Sequence, residues 1–256
     1  MRRIVQLTDC HLFADPTTAL REVVTWPRFT SVLQSLRQQV PELDLLVITG
    51  DIAHDEIPAT YDAVVGELRD WSNKVRVVPG NHDLRAALGE RFAGSTNPCA
   101  GRVTFDEQSE EWQAIGLDSQ RPGDVSGALG EVQLSWLRER LEVTQQLDTL
   151  LFMHHPPISV HSPWLDRIGL EDAAQLEFIL NDFPQVRLIG CGHVHHEVVA
   201  KFGPATVFTT PAVGPRFRPR TEQLVIDKGP PEFRLWELLP EGRWSTQVLQ
   251  GLAITA

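Results

Sequence analysis

The sequence predicts an α/β protein in which two β-sheets pack face to face with helices outside. Three observations predict it. Short, continuous apolar runs alternate with segments of helical periodicity through the first half of the chain. The last quarter carries strand-like runs with no helical periodicity. The apolar runs of the α/β part end in polar residues, at the strand ends where open α/β sheets place their sites.

Arg3 to Leu7 reads as an apolar strand that runs into Thr8-Asp9-Cys10-His11. Residues 13–26 lack periodicity and read as a loop. Pro27 suits the first turn of a helix, where its missing N–H would have no partner anyway. Phe29, Val32, Leu33, Leu36 and Val40 form that helix's apolar stripe, and Pro41 ends it. Leu45 to Ile48 is a second buried strand, followed by Thr49-Gly50-Asp51. Tyr61, Val64, Val65, Leu68 and Trp71 mark a second helix. Val75 to Val78 is a third strand, followed by Pro79-Gly80-Asn81-His82-Asp83. Residues 85–101 read as a short helix and a loop. Val103 to Phe105 and Trp112 to Leu117 read as a β pair. Glu131 to Leu141 is helical, with Val132, Trp136, Leu137 and Leu141 inward. Leu150 to Met153 is a strand ending in His154-His155-Pro156-Pro157, and the stretch to Gly169 is loop-like. Glu171 to Asn181 is a helix, and Val186 to Ile189 a strand. Runs at 197–201, 206–210, 223–226, 233–238 and 244–249 complete the β-rich end. With no linker, repeat or low-complexity stretch, residues 1–256 are expected to form a single domain.

Composition narrows the function. The net charge of -11 and pI near 5.3 argue against a general nucleic-acid binder. The same charge opposes an anionic substrate, so a phosphate site must be made positive locally. No apolar run approaches a membrane-spanning length, and Met1 to Leu7 passes straight into a strand, which is not the pattern of a signal peptide. Cys10, Cys99 and Cys191 are odd in number and lack CxxC spacing, which fits a reduced cytoplasmic compartment.

The chain is organised around Gly190-Cys191-Gly192-His193-Val194-His195. If this stretch stays extended, alternation turns both imidazoles to one side, and a metal is the simplest common object. The strand ends together supply Asp9, His11, Asp51, Asn81, His82, His154, His193 and His195. Carboxylates and imidazoles suit zinc, manganese or iron. These are too many ligands for one ion; two ions about 3.5–4 Å apart, sharing one carboxylate, would use nearly all of them. Any one of these residues alone could be a cap, a turn residue or an ordinary histidine. Five strand ends terminating this way are poorly explained by such roles.

Asp9-x-His11, Gly50-Asp51, Gly80-Asn81-His82-Asp83, the isolated His154 and Gly192-His193-x-His195 resemble the signature of the calcineurin-like metallophosphoesterases, from Arg3 to about Phe217. Leu117-Asp118-Ser119-Gln120, Gln133-Leu134-Ser135-Trp136-Leu137 and Trp164-Leu165-Asp166 are similar to segments of the bacterial class III 3′,5′-cyclic-AMP phosphodiesterases. The resemblance implies a four-layer αββα sandwich. It implies that Asp9, His11 and His195 hold one metal and Asn81, His154 and His193 the other, with Asp51 and a solvent hydroxide as bridges. The ions would be divalent or trivalent, iron or manganese first, with zinc or cobalt as alternatives. His82 would point at the phosphate rather than at a metal, and Asn81, His82 and His195 would contact substrate. Many members carry an acidic residue three positions after the bridging aspartate. Here that position is His54, which leaves Asp83 and Asp55 both open as partners of His82.

The implied reaction is hydrolysis of a 3′,5′-cyclic nucleotide, cyclic AMP first, to a 5′-monophosphate. Two divalent ions less Asp9, Asp51 and a hydroxide leave a net charge of about +1 for a monoanionic diester, and the nucleophile exists at neutral pH. His82 and Asp51 are the catalytic candidates, His82 as stabiliser of developing charge or as general acid. The rival substrates on the same frame are glycerophosphodiesters, nucleotides and phosphoproteins. A non-catalytic scaffold is the rival of a different class, disfavoured because no ligand is missing. The expected partner is a small cyclic nucleotide, with no nucleic acid and no membrane; the oligomeric state is open, a homodimer included.

Other residues have plainer readings. Cys10 and Cys191 should turn away from the site into the core. His155 should face the other side from His154, either in a structural role or supporting a ligand, with competition for the ligand place as the alternative, and His196 should lie on the surface. His161, Trp164 and Asp166 either contact the base or ribose or form an ordinary loop. Phe217 either stacks on a purine or packs in the core, with Arg216, Arg218 and Arg220 solvated beside it. The tryptophans at 26, 71, 112, 136, 236 and 244 are assigned to the core.

Overall fold

The computed structural model describes residues 1–92, 99 and 101–254. In chain order the strands are β1 (Arg2–Leu7), β2 (Ala19–Leu20), β3 (Val23–Val24), β4 (Leu45–Thr49), β5 (Val75–Val78), β6 (Phe105–Gln108), β7 (Trp112–Gly116), β8 (Asp148–Met153), β9 (Val186–Cys191), β10 (Val199–Phe202), β11 (Ala205–Thr209), β12 (Arg216–Phe217), β13 (Ile226–Asp227), β14 (Glu232–Leu238) and β15 (Trp244–Gln250). The helices are α1 (Thr25–Gln39), α2 (Pro58–Glu67), α3 (Arg85–Arg91), α4 (Gly130–Val143), α5 (Pro163–Asp166) and α6 (Ala173–Leu180), with a 3-10 turn at Arg69–Trp71.

Two mixed sheets form the centre. The first has the order β15-β14-β1-β4-β5 and the second β10-β11-β9-β8-β7-β6. β1, β4 and β5 are parallel, as are β7, β8, β9 and β11; β14, β15, β10 and β6 pair antiparallel at the flanks. The parallel strands are apolar on both faces because both faces are covered. Ile4, Leu45 and Val47 point inward against Leu150, Phe152, Leu188 and Phe208 of the other sheet. Their neighbours Val5, Leu46 and Ile48 point outward onto α1 and α2. Leu151, Met153 and Ile189 point outward onto α4 and α6. The result is the expected four-layer αββα sandwich.

A buried polar clamp joins the sheets beneath the strand ends. Gln6 Nε2 donates to Thr49 Oγ1 at 2.9 Å within the first sheet and to the Cys191 carbonyl at 3.2 Å in the second. Trp236 Nε1 donates back to Gln6 Oε1 at 3.2 Å.

Several expectations need correction. Residues 13–26 contain the β2–β3 hairpin, and α1 starts two residues before Pro27. α5 interrupts the loop before Gly169, and the run at 223–226 contributes only Ile226 to a strand. Val103 precedes β6 rather than belonging to it. Val132 is 64% exposed, because α4 turns Gln133, Leu134, Leu137 and Leu141 inward instead. Val65 is likewise exposed at the edge of α2. Trp112 and Trp236 are fully in the core, whereas Trp26, Trp71, Trp136 and Trp244 are only partly covered. Most of the loop expected after α3 lies outside the described residues.

Candidate metal centre

β1, β4 and β5 of one sheet and β8 and β9 of the other end at one edge of the sandwich, and the loops after them converge. Two groups of donor atoms form there and share Asp51. In the first, His195 Nε2 lies 3.2 Å from Asp9 Oδ1 and 3.2 Å from His11 Nε2, which is 3.6 Å from Asp51 Oδ2. In the second, Asn81 Oδ1 lies 3.1 Å from His193 Nδ1 and 3.3 Å from His154 Nε2, which is 3.5 Å from Asp51 Oδ2. Donors that share one ion at about 2.1 Å stand roughly 3.0–3.4 Å apart. The spacing therefore suits a cation in each group.

The backbone is bent to make this possible. Asp9, His11, Asp51, His193 and His195 all have left-handed φ values, of 52°, 48°, 52°, 71° and 59°. Such conformations are uncommon for residues with a side chain and persist where surrounding structure enforces them. Here the Asp9 N–H donates to the Gly50 carbonyl at 3.0 Å, His11 N–H to the Asp51 carbonyl at 2.8 Å, and His193 N–H to the Asp9 carboxylate at 3.0 Å. Gly192 passes so close to Thr8 and Asp9 that a Cβ would collide with both side chains. The turn after β9 is thus not extended. His193 and His195 face the same site because each is bent toward it, not by strand alternation.

Hydrogen bonds fix the imidazoles. His154 Nδ1 lies 2.7 Å from the Thr49 carbonyl and His195 Nδ1 2.5 Å from the Pro215 carbonyl. A carbonyl only accepts, so each Nδ1 carries the proton and each Nε2 turns a lone pair to the site. Thr8 Oγ1 donates to Asp9 Oδ2 at 2.8 Å. His193 Nε2 is buried without a protein partner among the described residues.

The charges ask for a cation. Burial alone would push the Asp9 carboxyl up, but the imidazoles of His195, His154 and His11 outweigh it and hold the group well below the usual carboxylate range. Burial, with the charge of neighbouring His195, pushes His11 well down; burial and His154 push His193 down to about 3. Burial and the nearby Asp51 push the Asp83 carboxyl up to about 7. Buried carboxylates ringed by imidazole nitrogens, with no Lys or Arg among the donors, fit divalent cations.

A calcineurin-like phosphoesterase family model matches residues 2–197. The chain belongs to this family. It is 35% identical over 246 residues to the 3′,5′-cyclic adenosine monophosphate phosphodiesterase CpdA of Escherichia coli (strain K12), covering 96% of this chain and 88% of that protein. It is 32% identical over 245 residues to a 3′,5′-cyclic-nucleotide phosphodiesterase of Nostoc sp., covering 96% and 91%. Among solved structures, a dimetal phosphatase from Danio rerio shares the fold with a TM-score of 0.74 at 17% identity, covering 99% of this chain and 98% of that one.

In this calcineurin-like phosphoesterase, His82 stands beside the donor groups. Its backbone N–H donates to Asp51 Oδ1 at 2.8 Å, and its ring packs 4.5 Å from His54 and 5.2 Å from His11. Neither carboxylate left open by the sequence partners that ring. Asp83 accepts from the N–H groups of Gly80 and Ile52 and from Tyr61 Oη, pinning the loops after β4 and β5 together. Asp55 accepts from Ala14 N–H and Thr60 Oγ1. The residue beside His82 is His54.

A cavity of about 320 Å³ opens over the donors. Its lining includes His54, packed beside His82, and Arg21 at the tip of the β2–β3 hairpin; Phe217 on the His195 ring, Trp164 against Phe217, and Ile168 and Leu224 are its apolar part. Among the described residues Arg21 is the only Lys or Arg in the lining, and sequence reading missed it because the hairpin has no glycine to signal its turn. A larger groove of about 890 Å³ between α4 and α6 shares no residue with this cavity.

The remaining candidates divide. Phe217 stacks on the His195 ring at 3.8 Å and 7°, so that face is not offered to a purine. Trp164 lines the cavity, but Asp166 is turned to Ser159 Oγ and the Val160 N–H, and His161 is exposed outside the lining. Arg216 pairs with Asp227 and Glu232 rather than standing in solvent; Arg218 and Arg220 are exposed. His155 is buried between Ser119 Oγ at 2.8 Å and the Val125 carbonyl at 3.2 Å, with its ring 4.6 Å from that of His193. His196, expected on the surface, is buried, because the bent turn before it breaks the alternation that would have turned it outward. Cys10 and Cys191 are buried free thiols, as expected.

Proposed function

We propose that this chain hydrolyses 3′,5′-cyclic nucleotides, cyclic AMP first, to 5′-monophosphates at a pair of metal ions. The observation that carries the reading is the position of Asp51 Oδ2, 3.6 Å from His11 Nε2 and 3.5 Å from His154 Nε2, as one oxygen common to both donor groups. Asp9, His11 and His195 would hold one ion and Asn81, His154 and His193 the other, with Asp51 between. Iron or manganese is the favoured pair; zinc and cobalt suit the same donors. Such a pair would supply a hydroxide nucleophile at neutral pH and positive charge against the phosphate.

The substrate class rests on likeness to relatives named as cyclic-nucleotide phosphodiesterases and on the division of the cavity. Phosphate would sit over the donors, and the nucleoside would reach the apolar wall of Trp164 and Leu224. Asn81, through its side-chain N–H groups, and His82 would orient the phosphate; His195, expected to contact substrate as well, has its Nδ1 on the Pro215 carbonyl and its Nε2 in the donor group, so neither nitrogen is left for the phosphate. A water that has lost its proton to solvent would attack phosphorus in line with the 3′-oxygen, forming the new P–O bond as the P–O3′ bond breaks. His82 gives the departing oxygen its proton, or stabilises its charge. A side-by-side assay with cyclic AMP, cyclic GMP, a 2′,3′-cyclic nucleotide, glycerophosphocholine and a phosphomonoester tests the substrate. Cyclic AMP should lead; a rate no better than that of a generic aryl phosphodiester would overturn the assignment.

A further inference from the structure

We infer that His54 is a positioning residue for His11: it accepts the Nδ1 proton of His11 and so fixes the lone pair that His11 turns to the metal centre. The inference rests on the paired-metal reading above. His54 Nδ1 lies 3.1 Å from His11 Nδ1. Two imidazole nitrogens at that distance need one donor and one acceptor. His11 Nε2 faces Asp51 Oδ2 and His195 Nε2, so a cation there requires its lone pair, and its proton must sit on Nδ1. His54 Nδ1 is then the acceptor, and the His54 proton sits on Nε2.

His54 differs in kind from the groups that hold the other donors. His154 and His195 are held in the same tautomer, but by the backbone carbonyls of Thr49 and Pro215. For His11 a side chain does this work. His54 is itself held independently of His11. Its N–H donates to the Leu12 carbonyl at 2.8 Å, and its ring lies 5.2 Å from Phe13 and 4.5 Å from His82. Partners of this kind set ligand orientation and contribute about 10–100-fold to metal affinity.

The test uses metal-stripped full-length protein titrated with manganese(II) alone, with free manganese followed by electron paramagnetic resonance. Wild type should take up two equivalents. His54→Leu, which keeps bulk and removes the acceptor, should weaken one equivalent by about 10–100-fold and leave the other unchanged. His54→Asn, whose amide oxygen can stand near the lost Nδ1, should stay within about threefold of wild type. His54→Ala provides a second acceptor-free variant, and melting of each metal-free variant separates a lost acceptor from a lost fold. Full affinity for both equivalents in a folded Leu or Ala variant, or an Asn variant as weak as Leu, would overturn the inference and leave the paired-metal reading standing. Wild-type protein that takes up no manganese would overturn that reading and this inference with it.

Discussion

The Phe217 ring lies flat on the imidazole of His195, with centroids 3.8 Å apart and planes 7° from parallel. His195 is thereby clamped between an aromatic face and the Pro215 carbonyl. Phe217→Ala should free the imidazole to tilt. Loss of a stacking contact of about 0.5–1.5 kcal/mol corresponds to roughly a 2–12-fold fall in kcat/KM. Steady-state kinetics with cyclic AMP, beside metal content, checks this; Phe217→Tyr should restore the rate.

Asp51→Asn removes the charge of a carboxylate that reaches both donor groups. Metal analysis of the purified variant should find less than two ions per chain. Affinity should fall by more than the roughly 10–100-fold typical of outer partners, and turnover should fall with it. Full occupancy at normal rate would contradict the shared-carboxylate geometry.

His82→Ala should separate chemistry from metal binding. The His82 ring makes no short contact with Asp9, Asp51 or Asn81, so both ions should stay, while kcat should fall by about 10²–10⁴-fold for a group that moves a proton. The paired readout, metal content against kcat, is the check.

Arg21 is the sole permanent cation in the cavity wall among the described residues, on a turn where both Arg21 and Glu22 have left-handed φ. An exposed guanidinium facing an anion contributes about 1 kcal/mol after screening. Arg21→Ala should therefore raise KM for cyclic AMP by about fivefold with little change in kcat, and the difference should shrink in high salt.

The strand ends were readable because parallel strands buried on both faces are continuous apolar runs, and an Asp or His just past such a run stands out. Gln133 shows where reading by hydropathy fails. Its side chain is buried, bonding the Asp118 N–H at 2.9 Å and the Asp118 carbonyl at 2.9 Å, so a polar residue takes the inward place that apolar Val132 was expected to fill. His196 shows a second limit, since alternation holds only while the backbone is extended. Arg21 and the His54–His11 pair lay beyond reach because a glycine-free hairpin and a contact across 43 residues leave no periodic trace.

Each donor group draws on both sheets. Asp9 and His11 follow β1 and meet His195 from beyond β9; Asn81 follows β5 and meets His154 and His193. Ions seated there would act as rivets through the sandwich, fastening halves that otherwise meet through an apolar seam and the Gln6 clamp. Occupancy then becomes a mechanical property as well as a chemical one. Each ion present at 100 times its dissociation constant would add about 2.7 kcal/mol against opening. A chelator should therefore lower the melting temperature at the same concentrations at which it abolishes turnover.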